Sequence, residues 1–251
     1  MVQTIAVTGK GGVGKTLIAG LMIRFLKEHT PGPILAIDAD PDSNLGSVLG
    51  IPIEQTIGDM REETLEQIKD LPPGMDKATY IEMGLQELIV ETEKVDFLAM
   101  GRSEGPGCYC YVNHLLRKFS DDLLPSYRWM VMDSEAGMEH LSRRTAGQLD
   151  HLVVVVTQNP LSIDAARRIG EVATSVHQHV KQAHFIVNDV REDRVEAVRE
   201  KASGLGMDYL GHIPHDDAIE ELIFDGRSLY ELGDDSVAGS KIGEIMQKLG
   251  A

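Results

Sequence analysis

Only two of the 251 residues are cysteine, which excludes a disulfide framework. Positive charge is also scarce. The 24 Lys and Arg stand against 40 Asp and Glu, a formal charge of −16 with histidines neutral. Affinity for nucleic acids and for anionic lipid surfaces comes from Lys and Arg, so neither a nucleic acid nor a membrane is expected as partner. Long apolar runs are missing too. The longest covers residues 152–156, far short of the roughly 20 residues that a spanning helix needs. The start, Met1-Val2-Gln3-Thr4, carries no basic region ahead of an apolar stretch, so no secretory signal is read and a cytoplasmic protein is expected. No internal repeat or low-complexity linker interrupts the chain.

What is present is an ordinary globular composition, 42% hydrophobic and 25% charged. Short β-branched and apolar runs at 4–8, 34–38, 97–101, 129–133, 151–157, 183–188 and 209–213 read as strands. Helical patterns lie between them: Leu17, Leu21, Ile23, Phe25 and Leu26 recur near a 3.6-residue period, and so do Ala165, Ile169, Val172 and Val176. Alternating strands and helices predict an α/β fold, a doubly wound, mostly parallel sheet flanked by helices, with ligands at the carboxyl ends of the strands. One domain over 1–251 is expected, with a mainly helical insertion near 51–92.

The first strand runs into Gly9-Lys10-Gly11-Gly12-Val13-Gly14-Lys15-Thr16 and then into a helical pattern. This is G-x-x-x-x-G-K-[ST] in strand–loop–helix context. Glycines let backbone N–H groups curl around phosphate oxygens, and the helix N-terminus adds partial positive charge. Lys15 is expected to reach the β- and γ-phosphates of ATP, and Thr16 to ligate Mg²⁺. Lys10, inside the loop, gives a K-G-G-x-G-K-T form that resembles the deviant Walker A motif of the dimeric MinD, ParA and nitrogenase-iron-protein ATPases. That resemblance implies a P-loop NTPase fold of this type, a homodimer promoted by ATP or metal, and a Lys10 that acts on the nucleotide held by the partner.

Asp38-Ala39-Asp40-Pro41-Asp42 follows the second strand, and Asp133-Ser134-Glu135-Ala136-Gly137 follows the fourth. In the resemblance Asp40 positions the attacking water, Asp38 and Asp133 serve the magnesium, and Gly137 brings its backbone N–H to the γ-phosphate. Asn188 ends the sixth strand and Pro214 follows the seventh. In related ATPases these positions contact the adenine; an Asn at a strand end is equally a good helix cap. The catalytic set is thus Lys10, Lys15 and Asp40.

Cys108 and Cys110 stand one residue apart in Gly105-Pro106-Gly107-Cys108-Tyr109-Cys110-Tyr111-Val112-Asn113. Thiolates favour zinc, copper(I), nickel in suitable geometry or iron–sulfur centres. Two thiolates leave a four-coordinate site half made, and a symmetric dimer would supply four. The phosphate loop, the C-Y-C stretch and the run from Asp133 to Leu141 together resemble the CooC/AcsF nickel-maturation ATPases, the C-Y-C context leaning toward AcsF. The resemblance implies ATP hydrolysis coupled to insertion of Ni²⁺ into carbon monoxide dehydrogenase or acetyl-CoA synthase. The metal would sit at a four-cysteine site across the dimer, where Zn²⁺ could also bind in vitro. Two other readings stay open: an iron–sulfur cluster carrier or reductase of the nitrogenase-iron-protein type, and a MinD/ParA-like positioning ATPase. The last draws attention to Ile242, Ile245, Met246 and Leu249, whose spacing predicts a helix packed on the sheet.

Overall fold

A computed structural model of the protein describes residues 2–67, 77–102, 122–135, 149–175 and 180–251. Seven strands lie in it: β1 Gln3–Gly9, β2 Ile34–Ala39, β3 Val95–Ala99, β4 Trp129–Ser134, β5 Leu149–Val156, β6 Val180–Asn188 and β7 Asp208–Ile213. They form one sheet in the order β3-β2-β4-β1-β5-β6-β7, and every neighbouring pair is parallel. The described helices of five residues or more are α1 Lys15–His29, α2 Leu45–Leu49, α3 Ile57–Gln67, α4 Lys77–Glu87, α5 Pro160–Ser175, α6 Val195–Ala202, α7 Asp217–Phe224 and α8 Val237–Lys248. The doubly wound parallel sheet expected from the sequence is the one observed.

The strands read as continuous apolar runs because helices cover both faces of the sheet. Successive side chains alternate between two cores. Ile5 and Val7 join Trp129, Val131, Val153 and Val155 beneath α1 and α8. Ala6 joins Met130, Met132, Leu152 and Val154 beneath α5 and α6. Ile242, Ile245, Met246 and Leu249 are all buried in the first core, so the apolar face of α8 packs inward. The region expected as a helical insertion holds α3 and α4, whose Ile57, Met60, Ile81 and Leu85 make a third small core with Leu98 of edge strand β3.

Three strands differ from the sequence reading by two residues or more at an end. β3 covers Val95–Ala99 rather than 97–101, because Gly101 turns out of the strand at φ +64°. β5 and β6 start earlier than expected, at Leu149 and Val180, where Leu149 pairs with Val180 and His151 with Gln182. Each start is one buried apolar residue, Leu149 or Val180, followed by polar ones, and backbone pairing carries the strand through them. The stripe of α5 is also rotated from the one expected. Ile163, Ala166, Ile169 and Ala173 are buried, whereas Val172 is 43% exposed; Val176 lies outside the described residues.

Polar groups fix the amino-terminal edge of the sheet. The Asp150 carboxylate accepts from the Thr4 N–H (2.9 Å) and the Thr4 hydroxyl (3.0 Å), and the Thr4 Oγ1 accepts from the Asp150 N–H (2.8 Å). Lys181 pairs with the other Asp150 oxygen at 2.6 Å. These contacts lock β1, β5 and β6 in register. Beside them two buried imidazoles meet, His151 Nδ1 lying 3.2 Å from His184 Nε2. Asp150, Lys181 and Asp208 are the charged groups that act on them.

Burial holds both histidines below their ordinary pKa, and for His184 the neighbouring imidazole lowers it further. At these two side chains the folded chain therefore takes up fewer protons than the unfolded one below about pH 6.5. The contribution of the pair is whole above that pH and is lost as pH falls through it toward the depressed folded values. A His151→Leu/His184→Leu variant should gain stability relative to the parent on going from about pH 7.5 to about pH 5.5 in urea unfolding. Parallel pH profiles for the two proteins would count against a pair kept neutral.

Candidate functional site

The centre of the sheet's carboxyl edge is where β1 ends and its neighbours diverge toward β4 and β5, the place where open α/β sheets bind ligands. β1 ends at Gly9, where a side chain would come within 2.5 Å of the Val155 carbonyl oxygen. Only glycine lets the loop leave the sheet so close to β5. The loop closes at Gly14, left-handed at φ +89°, which caps α1. Residues 10–14 therefore lead straight to the N-terminus of a 15-residue helix, with the helix dipole and free N–H groups directed at the loop. Lys15 and Thr16 are its first residues. Lys15 is buried, Thr16 and Lys10 are half-buried, and Gly11 and Gly12 are exposed.

Three of the expected aspartates meet at this edge. Asp38 and Asp133 are register partners on adjacent strands, and Val7 of β1 partners Asp133 on its other side. Side chains of register partners in parallel strands point to the same face, here the face that α1 covers. Asp38 is fully buried, and its two oxygens accept the backbone N–H groups of Asp40 (3.1 Å) and Leu45 (2.8 Å). It thereby shapes the loop that carries Asp40. Burial pushes the Asp38 carboxyl up to about 6 against the pull of those two N–H groups, and Asp40 adds to the rise.

Asp133 is the more exceptional group. It is fully buried, and among the described residues neither carboxylate oxygen completes a hydrogen bond. Burial pushes it up to about 7. Asp38 and Asp40 add to that rise, while the nearby Thr16 hydroxyl and the Lys15 ammonium oppose it. A buried carboxylate without partners is costly, and a divalent cation beside Thr16 would supply the missing partner. The residues present thus fit Mg²⁺, with Asp133 and Thr16 closest to it and Asp38 behind.

Next to the loop opens a cavity of about 290 Å³, lined by Gly12, Val13 and Gly14 of the loop and by Asn188, Pro214 and Ile219 opposite. Sequence reasoning placed Asn188 and Pro214 here and missed Leu17, Thr157, Ile219 and Ile223, which also line it. The Ile219–Ile223 pair follows the i, i+4 rule on α7 and could have been found by that spacing. His215 at the mouth bonds Asp189 at 2.9 Å through Nδ1, which holds its pKa above the ordinary value. Asp216 caps two helices at once: one oxygen accepts from Ala218 N–H of α7, the other from the Ser236 hydroxyl and Ala238 N–H of α8. The cavity wall made by both helices hangs on that carboxylate. Gly137, Cys108 and Cys110 lie outside the described residues.

Strand, glycine loop, helix and buried aspartate define a P-loop nucleotide-binding domain. Residues 4–229 match the CobQ/CobB/MinD/ParA nucleotide binding domain, and the chain belongs to that family. It is 39% identical over 247 residues to an uncharacterized ATP-binding protein of Methanocaldococcus jannaschii, covering 98% of this chain and 97% of that one. It is 32% identical over 240 residues to the carbon monoxide dehydrogenase accessory protein CooC of Rhodospirillum rubrum, covering 91% and 89%. In structure it is similar to a ParA family ATPase from Chlorobium tepidum, with a TM-score of 0.73, 18% identity and both chains covered in full.

The raised pKa of Asp133 gives a signed expectation. Its folded value near 7 lies above the unfolded 3.8, so the group favours the fold when protonated and weighs against it as pH rises through 7. Asp133→Asn should raise the unfolding midpoint of the nucleotide-free protein at about pH 8, by roughly 2–4 °C for each kcal/mol relieved. The gain should shrink toward about pH 5. A calorimetric scan showing the opposite trend would contradict an uncompensated buried carboxylate.

Proposed function

We propose that this protein is a CooC-like ATPase that couples ATP hydrolysis to delivery of nickel to a nickel enzyme, carbon monoxide dehydrogenase or acetyl-CoA synthase, in the cytoplasm. The observation that carries the reading is likeness to CooC over nine-tenths of the chain, in a sequence that also holds Cys108-Tyr109-Cys110. The proposed acceptance of nickel by four thiolates, two from each chain of a homodimer, follows from that pair. Nickel here is the cargo. The lean toward acetyl-CoA synthase rests on the residues flanking the cysteines.

The chemistry asked of the nucleotide site is in-line attack of water on the γ-phosphorus, with cleavage of its bond to the β-γ bridging oxygen and departure of ADP. Lys15, at the start of α1, would face the β- and γ-phosphates. Lys10 of the partner would reach the same phosphates across the interface and offset transition-state charge. Asp40, on the loop that Asp38 organises, would orient the water. Mg²⁺ held by Thr16, Asp133 and Asp38 would supply further charge neutralisation. Gly137 would add a backbone N–H at the γ-phosphate.

Two experiments test the reading. Lys10→Ala should bind ATP yet lose most hydrolysis, on the order of the thousandfold effect of removing an arginine finger. Mixing it with Asp40→Ala should restore part of the rate, since one composite site then holds both groups. No recovery in the mixture would count against action across the dimer. Anaerobic titration with Ni²⁺ should saturate at one ion per two chains and fail in Cys108→Ser and in Cys110→Ser. One site per chain that survives both changes would remove the shared thiolate site and the nickel-delivery reading.

A further inference from the structure

Asn188 does something at this site that neither adenine contact nor helix capping describes. It is the last residue of β6 and is 5% exposed. Its Nδ2 donates to the Val13 carbonyl oxygen at 2.9 Å, across 175 positions of sequence. Val13 is the loop residue just before the helix-capping Gly14, and a side chain at Gly14 would collide with the same Nδ2. The amide therefore presses on the backbone turn that sets the start of α1 and the position of Lys15. At the same time Asn188 lines the cavity beside the loop. Among the described residues its Oδ1 accepts no hydrogen bond, which leaves an acceptor for a ligand in that cavity.

The chain around it is held firmly. Asp189, next in sequence, sits at φ +51°, a conformation that non-glycine residues seldom adopt. It is tied to His215 by the 2.9 Å bond, and the following Val190 N–H donates to the Ile213 carbonyl at 3.4 Å. A ligand that pulls on Oδ1 thus meets an amide fixed on its other side to the phosphate loop.

We infer that Asn188 is a positioning residue that braces the phosphate loop through Val13 and couples occupation of the cavity to phosphate binding. The inference rests on the reading of that cavity as the base site of a nucleotide. A base that offers an N–H donor would engage Oδ1, while Nδ2 stays committed to Val13. The amide then belongs to two subsites, and the affinity of one depends on the other by reciprocal linkage.

The probe that separates this role from simple base reading has no base. Inorganic tripolyphosphate with Mg²⁺, measured by calorimetry, should bind Asn188→Ala about five- to tenfold more weakly than wild type, the loss expected for one buried hydrogen bond. Asn188→Asp should lose at least as much, because its carboxylate faces the Val13 carbonyl with no donor. Equal tripolyphosphate affinity in wild type and in folded Asn188→Ala overturns the brace. A second measurement needs only the wild-type protein: saturating adenosine should tighten tripolyphosphate binding severalfold. Affinities that are independent overturn the coupling even if both variants fail to fold. Wild-type protein that binds no tripolyphosphate at all would remove the nucleotide reading and the brace with it, whereas normal binding without ATP hydrolysis would remove only the ATPase reading.

Discussion

The organising constraint is a carboxylate that the fold removes from water and that, among the described residues, completes no hydrogen bond. Asp133 is placed by β4, a strand buried along its whole length between β1 and β2, so it cannot turn outward. Its environment supplies one ammonium, from Lys15, and two further acids. Such a group is stable as an ion only when positive charge arrives. The glycine loop, the N-terminus of α1 and Lys15 lie at the same edge of the sheet, where a nucleotide's phosphates would add negative charge and magnesium would balance it. The unsatisfied aspartate is thus the local cost of a site prepared for a charged ligand, and the large parallel sheet is what holds it in place.

Two pairs of buried groups in the sheet respond to acid in opposite senses. On β2 and β4, protonation of Asp38 and Asp133 relieves burial of charge. On β5 and β6, protonation of His151 or His184 creates it. The two pairs sit on different strands, with β1 between β4 and β5. The net acid response of the chain is therefore a sum of two local terms, and only differences between variants isolate either one.

Much of this was legible before any coordinates. The seven strands were readable because a sheet covered on both faces needs uninterrupted Val, Ile and Leu, as in 152–156. The phosphate loop was readable because glycine at positions 9, 12 and 14 answers a local steric demand. Early strand starts such as Val180-Lys181-Gln182 were missed because a single apolar residue, Val180, is followed there by two exposed polar ones. The rotation of α5 was missed because Val172 and Ala173 compete for the same stripe, and packing rather than hydropathy chose the smaller. The contact of Asn188 with Val13, the dual cap at Asp216 and the meeting of His151 with His184 depend on tertiary neighbours that no local pattern encodes.

The place of β1 in the sheet has a consequence for how the protein is made. β1 is the first strand synthesised, yet its hydrogen-bonding neighbours are β4 and β5, and Gly9 finds its partner only at Val155. A nascent chain that has emerged only through β2 has the complete phosphate-loop sequence and no sheet centre to hold it. Long-range pairing of this kind is slow and must wait for its late partners. Nucleotide can therefore act as a folding ligand only after the chain through β5 has left the ribosome, and the apolar segment 4–9 needs shielding until then.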